Sequence, residues 1–473
     1  MSITYKELSG PKGFPIIGNI HQINVSELHT SFEKWANEYG DIYKVALGPI
    51  KFTVVSSPEL IQKILKARPT KFRRMSKMDR ILQEEGVHGV FNSEGDEWSV
   101  HRRIVTKGLD VKHQQHFYPS MVKTANRLYL KMLKNANSSN SYNLQDDLSR
   151  FTVDVTSSLA FGFEMNTLEQ QGNVIQEHME KIFPMLFKRI NAPFPFYKIY
   201  KTKKDREYDL AILEVEKQVD VFIETGRERL KNNPNLKENP ENFLDSILVA
   251  ADEEHSFTNE DIKGNLLTLL LAGEDTTSHS LAWAIYLICQ NPEIQQKLQE
   301  ESDTILGDET ELQTYSKISE LTYTEAVINE TLRLKSVAPL LLLEPVEDVE
   351  IDNYLFKKGE KMAVITRFGA LSENYFTDSK NFNPDRWLKA KESKCPMHNM
   401  DAFLPFGSGP RFCPGKNLAM LEMKLVLSMI FKNFTVELTT PNSKIKEIMA
   451  FTLMPNKFEV SLKSRDVQLK SHL

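Results

Sequence analysis

The chain has 473 residues, 41% of them hydrophobic, and a formal net charge of −5. This composition supports a sizeable core and lacks the strong positive charge of a general nucleic-acid binder. Three cysteines are too few for a disulfide framework, and no stretch reaches the roughly 18 apolar residues of a membrane span. We therefore expect a cytoplasmic protein with no nucleic-acid partner and no membrane span.

The first predicted elements are short strands between Ile42 and Val55, followed by a helix that carries Trp98 and Arg102. These two residues lie four positions apart and therefore share one helix face. A segment rich in Asn and Ser follows at 134–141, and one rich in Asn, Pro and Lys follows at 231–241. Each is short and flanked by helical patterns, so we interpret both as surface loops and not as domain linkers.

A long helix is predicted from Thr258 to Cys289. Thr258 and Asp261 have the spacing of a capping box, and the pair Asn291-Pro292 marks the end of the pattern. A helix of about 30 residues is roughly 45 Å long, which is the width of a domain. We expect this helix to cross the core.

The leucine-rich middle of this helix is interrupted by Ala272-Gly-Glu-Asp-Thr-Thr-Ser278. Gly273 costs on the order of 1 kcal/mol relative to alanine in a helix interior. Burying Asp275 without partners would cost several kcal/mol more. Such a segment indicates function, although an exposed polar turn on a surface helix would have the same composition.

Towards the C-terminus, Glu330 and Arg333 are three positions apart on a predicted helix, and Arg386 follows in Pro384-Asp-Arg-Trp387. In isolation the first pair would be a surface salt bridge worth well under 1 kcal/mol. Further short strands are predicted at Val349–Leu355, Lys361–Ile365 and Thr435–Leu438.

The loop Phe406-Gly-Ser-Gly-Pro-Arg-Phe-Cys-Pro-Gly415 precedes an apolar run, Lys416–Phe431, that predicts a buried helix with Pro414 in its first turn. A helix N-terminus favours the thiolate form of Cys413. Gly407, Gly409 and Gly415 allow the backbone to bend and to approach a flat ligand closely. By itself a lone cysteine is more often a small core residue.

Two phosphate-binding alternatives fail on spacing. Gly415-Lys416-Asn417 lacks the Ser or Thr of a Walker loop. Phe412 stands where a dinucleotide fingerprint has its third glycine.

Taken whole, the pattern Phe-Gly-x-Gly-x-Arg-x-Cys-x-Gly resembles the heme-binding loop of the cytochrome P-450 family. The resemblance covers about residues 11–462 and implies a mainly α fold, a helical prism with a small β-rich side. It implies one heme domain over residues 1–473. No flavin or iron–sulfur segment follows, so we expect electrons from NAD(P)H to arrive through a separate ferredoxin or flavoprotein reductase.

The resemblance assigns Cys413 as the axial ligand of the iron of heme b, where thiolate donation favours O–O cleavage. It places Arg411 on a heme propionate and Phe406 beside the thiolate. Trp98 and Arg102 match the family pattern for a propionate contact, since a buried propionate requires cationic or N–H partners.

Ala272-Gly273-x-Asp275-Thr276-Thr277 matches the oxygen-activation motif of the family. Ala272 and Thr276 share one face, so a small side chain would admit heme and substrate while a hydroxyl stands above the iron. The resemblance assigns Thr276 to hydrogen bonding of the bound oxygen and Asp275 to proton delivery, which is general acid chemistry.

The family also joins Glu330, Arg333 and Arg386 in one structural ion network. One departure is visible, because many members carry Arg or His for the other propionate where this chain has Leu343-Glu344-Pro345. Arg367 and Lys335 are the nearby candidates to replace that contact.

Family topology places substrate contacts in stretches that are mostly apolar here, which favours a lipophilic substrate such as a fatty acid, terpenoid or steroid. Such residues are more often plain core. The candidates are Val87, Phe91, Phe187, Thr268, Ala272, Val337, Leu341 and Leu453.

The leading interpretation is a heme-thiolate monooxygenase that hydroxylates or epoxidises an apolar compound with one atom of O2. The alternatives are an enzyme that uses peroxide or rearranges its substrate, and a non-enzymatic sensor or carrier. Lys416, Lys424, Arg103 and Lys107 are candidates for a basic docking face, although a solvated charged face is the ordinary explanation for such residues.

Overall fold

The computed structural model describes residues 2–136, 141–170, 181–182, 185–190, 192, 194–253, 256–392 and 398–465. The helices are α1 Leu28–Tyr39, α2 Pro58–Lys66, α3 Ser76–Glu84, α4 Gly95–Gly108, α5 Val111–Asn135, α6 Leu144–Phe161, α7 Lys203–Asn232, α8 Phe243–Glu253, α9 Asn259–Cys289, α10 Pro292–Leu306, α11 Thr322–Leu334, α12 Asp385–Glu392 and α13 Lys416–Asn433. The strands are β1 Ile42–Leu47, β2 Ile50–Val55, β3 Phe72–Arg74, β4 Leu340–Pro345, β5 Val349–Ile351, β6 Tyr354–Phe356, β7 Lys361–Ile365, β8 Phe434–Leu438, β9 Glu447–Met449, β10 Leu453–Pro455 and β11 Val460–Ser464. The predicted mainly α fold class is confirmed.

The chain divides into two compact units, each built from three segments. The β-rich unit comprises residues 1–80, 329–413 and 447–454, and the helical unit comprises residues 81–328, 414–446 and 455–473. Helices α3 and α11 continue across the boundaries along the chain. The single domain over residues 1–473 stays a prediction. No helix within the described ranges is both long and apolar enough to cross a membrane.

The β-rich unit is organised by a five-stranded sheet in the order β1-β2-β7-β4-β3, in which only β2 and β7 are parallel. Along β7, Met362 and Val364 join one hydrophobic cluster, while Ala363 and Ile365 join another. Because side chains alternate between the faces of a strand, this sheet is buried on both faces. The strands predicted near 42–55, 349–355 and 361–365 are all present.

In the helical unit, α9 is 31 residues long and spans about 46 Å. Thr258 is its N-cap and forms a capping box with Asp261, as the spacing predicts. The mid-helix glycine has a packing reason, since a Cβ on Gly273 would lie 2.7 Å from the Oγ1 atom of Thr156 on α6. The hydroxyl of Thr152 also donates to the carbonyl of Glu274 at 3.1 Å. Gly273 therefore lets α6 approach α9 closely.

The segment between α3 and α4 also packs directly on the backbone of α9. A Cβ on Gly264 would lie 2.0 Å from the carbonyl oxygen of His88, and a Cβ on Gly89 would lie 2.8 Å from the carbonyl oxygen of Gly264. The amide of Val90 donates to the Oδ1 atom of Asn265 at 2.9 Å. Glycine on both sides therefore permits a contact that any larger residue would obstruct.

We expect Gly264→Ala to destabilise the protein by about 1–3 kcal/mol, because the new methyl group would push residue 88 away from α9. Denaturant titration of the purified protein measures this change in the free energy of unfolding. The control is Glu260→Ala at an exposed position of the same helix, which is expected to change stability by less than about 1 kcal/mol. Equal stability of Gly264→Ala and the wild type would contradict the close approach.

Candidate active site

The loop that carries Cys413 is a series of tight turns in the β-rich unit. The amide of Cys413 donates to the carbonyl of Phe406 at 2.9 Å, and the amide of Phe412 donates to Gly409 at 3.1 Å. Gly407 and Gly409 have φ values of +72° and +69°, which glycine adopts without strain. These turns leave Cys413 half-buried at the end of the loop.

The loop is anchored on α2. The hydroxyl of Ser408 donates to the Oε1 atom of Gln62 at 2.6 Å. A Cβ on Gly409 would lie 2.5 Å from the carbonyl oxygen of Leu65, so glycine is needed for this contact. At Gly407, by contrast, a Cβ would meet no atom within 4 Å. The backbone beside Gly407 is thus open to a flat ligand, while that beside Gly409 is fixed against the protein.

Helix α13 begins at Lys416 with Gly415 as its N-cap, and the carbonyl of Gly415 accepts from Ala419 at 2.9 Å. The start of the predicted helix is confirmed. The placement of Pro414 in the first turn is wrong, because Pro414 precedes the cap.

The prediction that Lys424 lies on an exposed docking face is also wrong. Its side chain is buried, and its ammonium group donates to Glu325 at 2.5 Å. Lys416, Arg103 and Lys107 are exposed.

Glu330, Arg333 and Arg386 lie together in the β-rich unit, with exposures of 0%, 0% and 4%. Arg333 donates to both carboxylate oxygens of Glu330 at 2.8 and 2.9 Å, and Arg386 donates to one of them at 3.0 Å. Both guanidinium groups also donate to backbone carbonyls; Arg333, for example, donates to those of Ala370 and Ser379. The indole of Trp387, which sequence reasoning did not single out, donates to Glu330 at 2.9 Å.

The strand position where the family often has a propionate partner is occupied by an acid with its own partners. Arg73 donates to Glu344 at 2.8 Å, and Lys361 also donates to it. Burial alone would raise the pKa of Glu344, but these hydrogen bonds hold it below its usual value. Glu344 is therefore part of a local ion cluster in the β-rich unit.

The two suggested replacements for that propionate contact are engaged elsewhere. Arg367 donates to Glu33 at 2.8 Å and to Glu447 at 3.1 Å, and Lys335 donates to Glu447 at 2.6 Å. His29 adds a hydrogen bond to Glu447 at 2.6 Å. Burial would raise the pKa of Glu447, yet its hydrogen bonds and cationic neighbours lower it strongly. This buried cluster gives Arg367 and Lys335 a structural role.

In the helical unit, the interrupted segment of α9 has an unusual exposure pattern. Ala272 is exposed although Leu270 and Leu271 before it are buried. The hydroxyl of Thr276 donates to the carbonyl of Ala272 at 2.7 Å, so Thr276 is held on the same face one turn later. This face of α9 is open at a small residue and a hydroxyl, an arrangement compatible with a ligand.

Asp275 is the titratable group of this segment, and its side chain is 20% exposed. Burial raises the pKa of its carboxyl to about 6. The Nε2 atom of His279, one turn later, lies 3.9 Å from its Oδ1 atom. Burial lowers the pKa of His279 to about 4, so the ring is neutral at pH 7. A carboxyl without an opposing cation keeps its proton to higher pH than an ordinary aspartate.

His279 was missed by sequence reasoning, although its spacing of four from Asp275 places the two residues on one helix face. The signal was present in Asp275-Thr-Thr-Ser-His279.

Helix α4 carries Trp98 and Arg102 on one face, as predicted. Trp98 is 7% exposed and Arg102 is half-buried. A groove of about 550 Å³ runs along this helix and is lined by Trp98, Ser99, Arg102, Arg103, Thr106, Lys107 and Asp110. The lining has three cationic side chains, those of Arg102, Arg103 and Lys107, and one carboxylate, that of Asp110. This excess of positive charge suits an anionic group such as a propionate.

The candidate substrate residues belong to both units. In the helical unit, Val87 and Thr268 are buried, Phe91 and Phe187 are half-buried, and Ala272 is exposed. Among the described residues, the buried hydroxyl of Thr268 has no hydrogen-bond partner. In the β-rich unit, Val337 and Leu453 are buried and Leu341 packs against the sheet. The amide of Leu453 donates to Val337 at 2.9 Å. Burial of this kind also fits a plain core role.

Comparison with known proteins identifies the family of the chain. The family model described as cytochrome P-450 matches residues 8–462. Cytochrome P-450 94A1 of Vicia sativa is 26% identical over 483 aligned residues, which cover 96% of this chain and 91% of that relative. Tabersonine 16-hydroxylase 1 of Catharanthus roseus is 27% identical, with 94% of this chain and 88% of that relative covered.

A third relative is the bifunctional cytochrome P-450/NADPH--P-450 reductase of Fusarium oxysporum. It is 27% identical over 95% of this chain, but the match covers only 42% of that relative.

Proposed function

The chain belongs to the cytochrome P-450 family and is a heme-iron monooxygenase of that family, and from this membership we propose that it inserts one oxygen atom of O2 into a lipophilic small molecule by hydroxylation or epoxidation. The observation that carries the proposal is the segment of α9 where the half-buried carboxyl of Asp275, whose pKa burial raises to about 6, is followed directly by the hydroxyl of Thr276. A sensor or carrier would not need a proton donor at this position.

We assign the first set of cofactor contacts to the loop around Cys413. Cys413 would ligate the iron, with Arg411, Phe406, Gly407 and Gly415 around it in the same loop. The half-buried thiol and the open backbone at Gly407 suit this role. When bound, the heme supplies the activation of O2.

In the helical unit, Arg102 and Trp98 would hold a propionate, which fits the cationic groove along α4. Ala272 and Gly273 would leave room on the α9 face, where Ala272 is already exposed.

Proton delivery in the proposed reaction depends on two residues of α9. Asp275 holds a proton on its carboxyl up to about pH 6, because burial disfavours the carboxylate. The hydroxyl of Thr276 donates to the helix backbone, so its oxygen lone pairs can accept a hydrogen bond. We propose that Asp275 supplies a proton to the Thr276 oxygen while Thr276 releases its own hydroxyl proton, which leaves the Ala272 carbonyl and moves towards the substrate side.

We expect coupled product formation to fall as the pH rises past about 6, where Asp275 loses its proton. Asp275→Asn should remove this pH dependence and lower the reductase-supported rate by about 100-fold. Product formation with a surrogate reductase and a panel of apolar substrates measures both effects, and 18O2 identifies the source of the inserted atom.

Peroxide-supported turnover is the internal control, because it needs neither reductase nor O2. The relay predicts that Asp275→Asn loses much more reductase-supported than peroxide-supported turnover. Equal turnover of the wild type with peroxide and with reductase would favour the peroxide-using alternative. Binding of apolar compounds without any product would favour the carrier.

For the electron donor we propose a redox partner of the ferredoxin or flavoprotein reductase class, fed ultimately by NAD(P)H. The reductase in the name of the Fusarium oxysporum relative supports the flavoprotein option. The exposed Lys416, Arg103 and Lys107 remain candidates for the docking face.

A further inference from the structure

A cluster of imidazole and carboxylate groups lies in the helical unit at the first turn of α9. The ligand atoms of His88, Glu97 and Asp261 lie within 4.8 Å of one another. They come from three chain segments: the loop before α4, the first turn of α4 and the first turn of α9. None of the three belongs to the residues proposed above for heme, proton delivery or substrate.

The backbone fixes the position of His88 in this cluster. Its carbonyl oxygen packs against Gly264, one turn after Asp261 on α9. The amide of Val90 and the side chain of Asn265 lock the same loop to the helix at 2.9 Å. The Nε2 atom of His88 lies 2.6 Å from Glu97. A bound group would therefore find these side chains on a scaffold that is already in place.

Buried His101 lies close to the carboxylate of Asp261. Asn265 uses its Oδ1 atom for Val90, so its amide nitrogen must donate to the Nδ1 atom of His101 at 2.8 Å. The proton of His101 is therefore on Nε2, which lies 3.4 Å from the Oδ1 atom of Asp261. The other oxygen, Oδ2, caps α9 by accepting from Thr258. Carboxylates that ligate metals are usually held by further hydrogen bonds, as Oδ2 of Asp261 is held by Thr258.

From this arrangement we propose that His88, Glu97 and Asp261 bind a divalent transition-metal ion, with Zn²⁺ as the reference ion. One imidazole and two carboxylates suit Zn²⁺, whose ligand atoms lie about 2.0–2.2 Å from the metal. The ion would offset the repulsion between two carboxylates. Glu97, with 49% of its side chain exposed, can move the short distance needed to close the site.

Binding would require the Nε2 atom of His88 to be free of its proton. The proton would then reside on Nδ1, which lies 3.3 Å from the side-chain amide of Gln83. If the side-chain amide of Gln83 is flipped, its oxygen accepts a hydrogen bond from the Nδ1–H group of His88. Such a contact to a metal-ligating histidine is the usual outer-shell interaction. The ion would tie the loop that carries Val87 and Phe91 to the start of α9.

To test the proposal, the holoprotein is first treated with a chelator and then dialysed to equilibrium against Zn²⁺. Metal analysis then gives the amount of bound Zn²⁺ per chain. We expect one Zn²⁺ per chain at micromolar concentration. His88→Gln and Glu97→Gln should each weaken binding by at least about tenfold. Zn²⁺ should also raise the thermal midpoint of the wild type and not that of His88→Gln.

His116→Gln is the matched control, because His116 is exposed on α5 away from the cluster along the chain. It should bind Zn²⁺ like the wild type. The proposal would be overturned if His88→Gln bound Zn²⁺ as well as the wild type does. It would also be overturned if the wild type bound no more Zn²⁺ than the double variant His88→Gln/Glu97→Gln. An unaltered heme spectrum on addition of Zn²⁺ separates this site from Cys413.

Discussion

Cys413→Ser is expected to abolish the long-wavelength band in the carbon monoxide difference spectrum and to reduce monooxygenase activity by more than about 1,000-fold. A serine hydroxyl is not ionised near neutral pH, so it cannot replace the thiolate as an electron-donating ligand. The backbone hydrogen bond from residue 413 to Phe406 does not involve the side chain, so the loop should persist.

Cys289→Ser is the matched control for this prediction. Burial raises the pKa of the Cys289 thiol to about 12, so this cysteine remains protonated and inert. Its Sγ atom lies 3.5 Å from the carbonyl of Val436, a contact that a serine hydroxyl can also make. The control should keep both the band and the activity. A Cys413→Ser protein that retained the band would show that another group ligates the iron.

Glu330→Ala is expected to have the largest effect on stability, with a loss of about 3–5 kcal/mol in the free energy of unfolding. The change leaves the guanidinium groups of Arg333 and Arg386 buried without their carboxylate. It also removes the acceptor of the Trp387 indole. Because whole proteins are stable by only about 5–15 kcal/mol, this loss is a large share of the total.

Chemical denaturation followed by circular dichroism measures this effect, and the yield of soluble protein gives a second measurement if the variant fails to fold. Glu320→Ala, at an exposed position, should cost less than about 1 kcal/mol. A loss below 1 kcal/mol for Glu330→Ala would mean that the two arginines are satisfied by their backbone acceptors alone.

The features that the sequence predicts well are local ones. The start of α9 follows from Thr258 and Asp261, because the residues that cap a helix are neighbours along the chain. The start of α13 at Lys416 was predicted correctly, yet Pro414 was misplaced. Proline is tolerated both in a first helical turn and in the turn before it, so composition alone does not separate the two.

Contacts between distant segments were not predictable in the same way. The cost of Gly273 in a helix was recognised, but its partner Thr156 lies more than 100 residues earlier in the chain. The same is true of Arg367, which binds Glu447, and of His88, which lies near Asp261. In both cases the partners are far apart along the chain. The hydrophobic periodicity of the sequence predicts which face of a helix or strand a residue occupies. Only the three-dimensional structure shows which residues pack against that face.

The pairing of β2 with β7 has a consequence for how the chain folds during synthesis. Phe52 pairs with Lys361, so the hairpin of β1 and β2 emerges from the ribosome long before its parallel neighbour exists. Until then β2 presents an unpaired edge rich in apolar residues, which is a template for association between chains. Such long-range pairing makes folding slow and leaves the nascent β-rich unit exposed to aggregation until β7 has been synthesised.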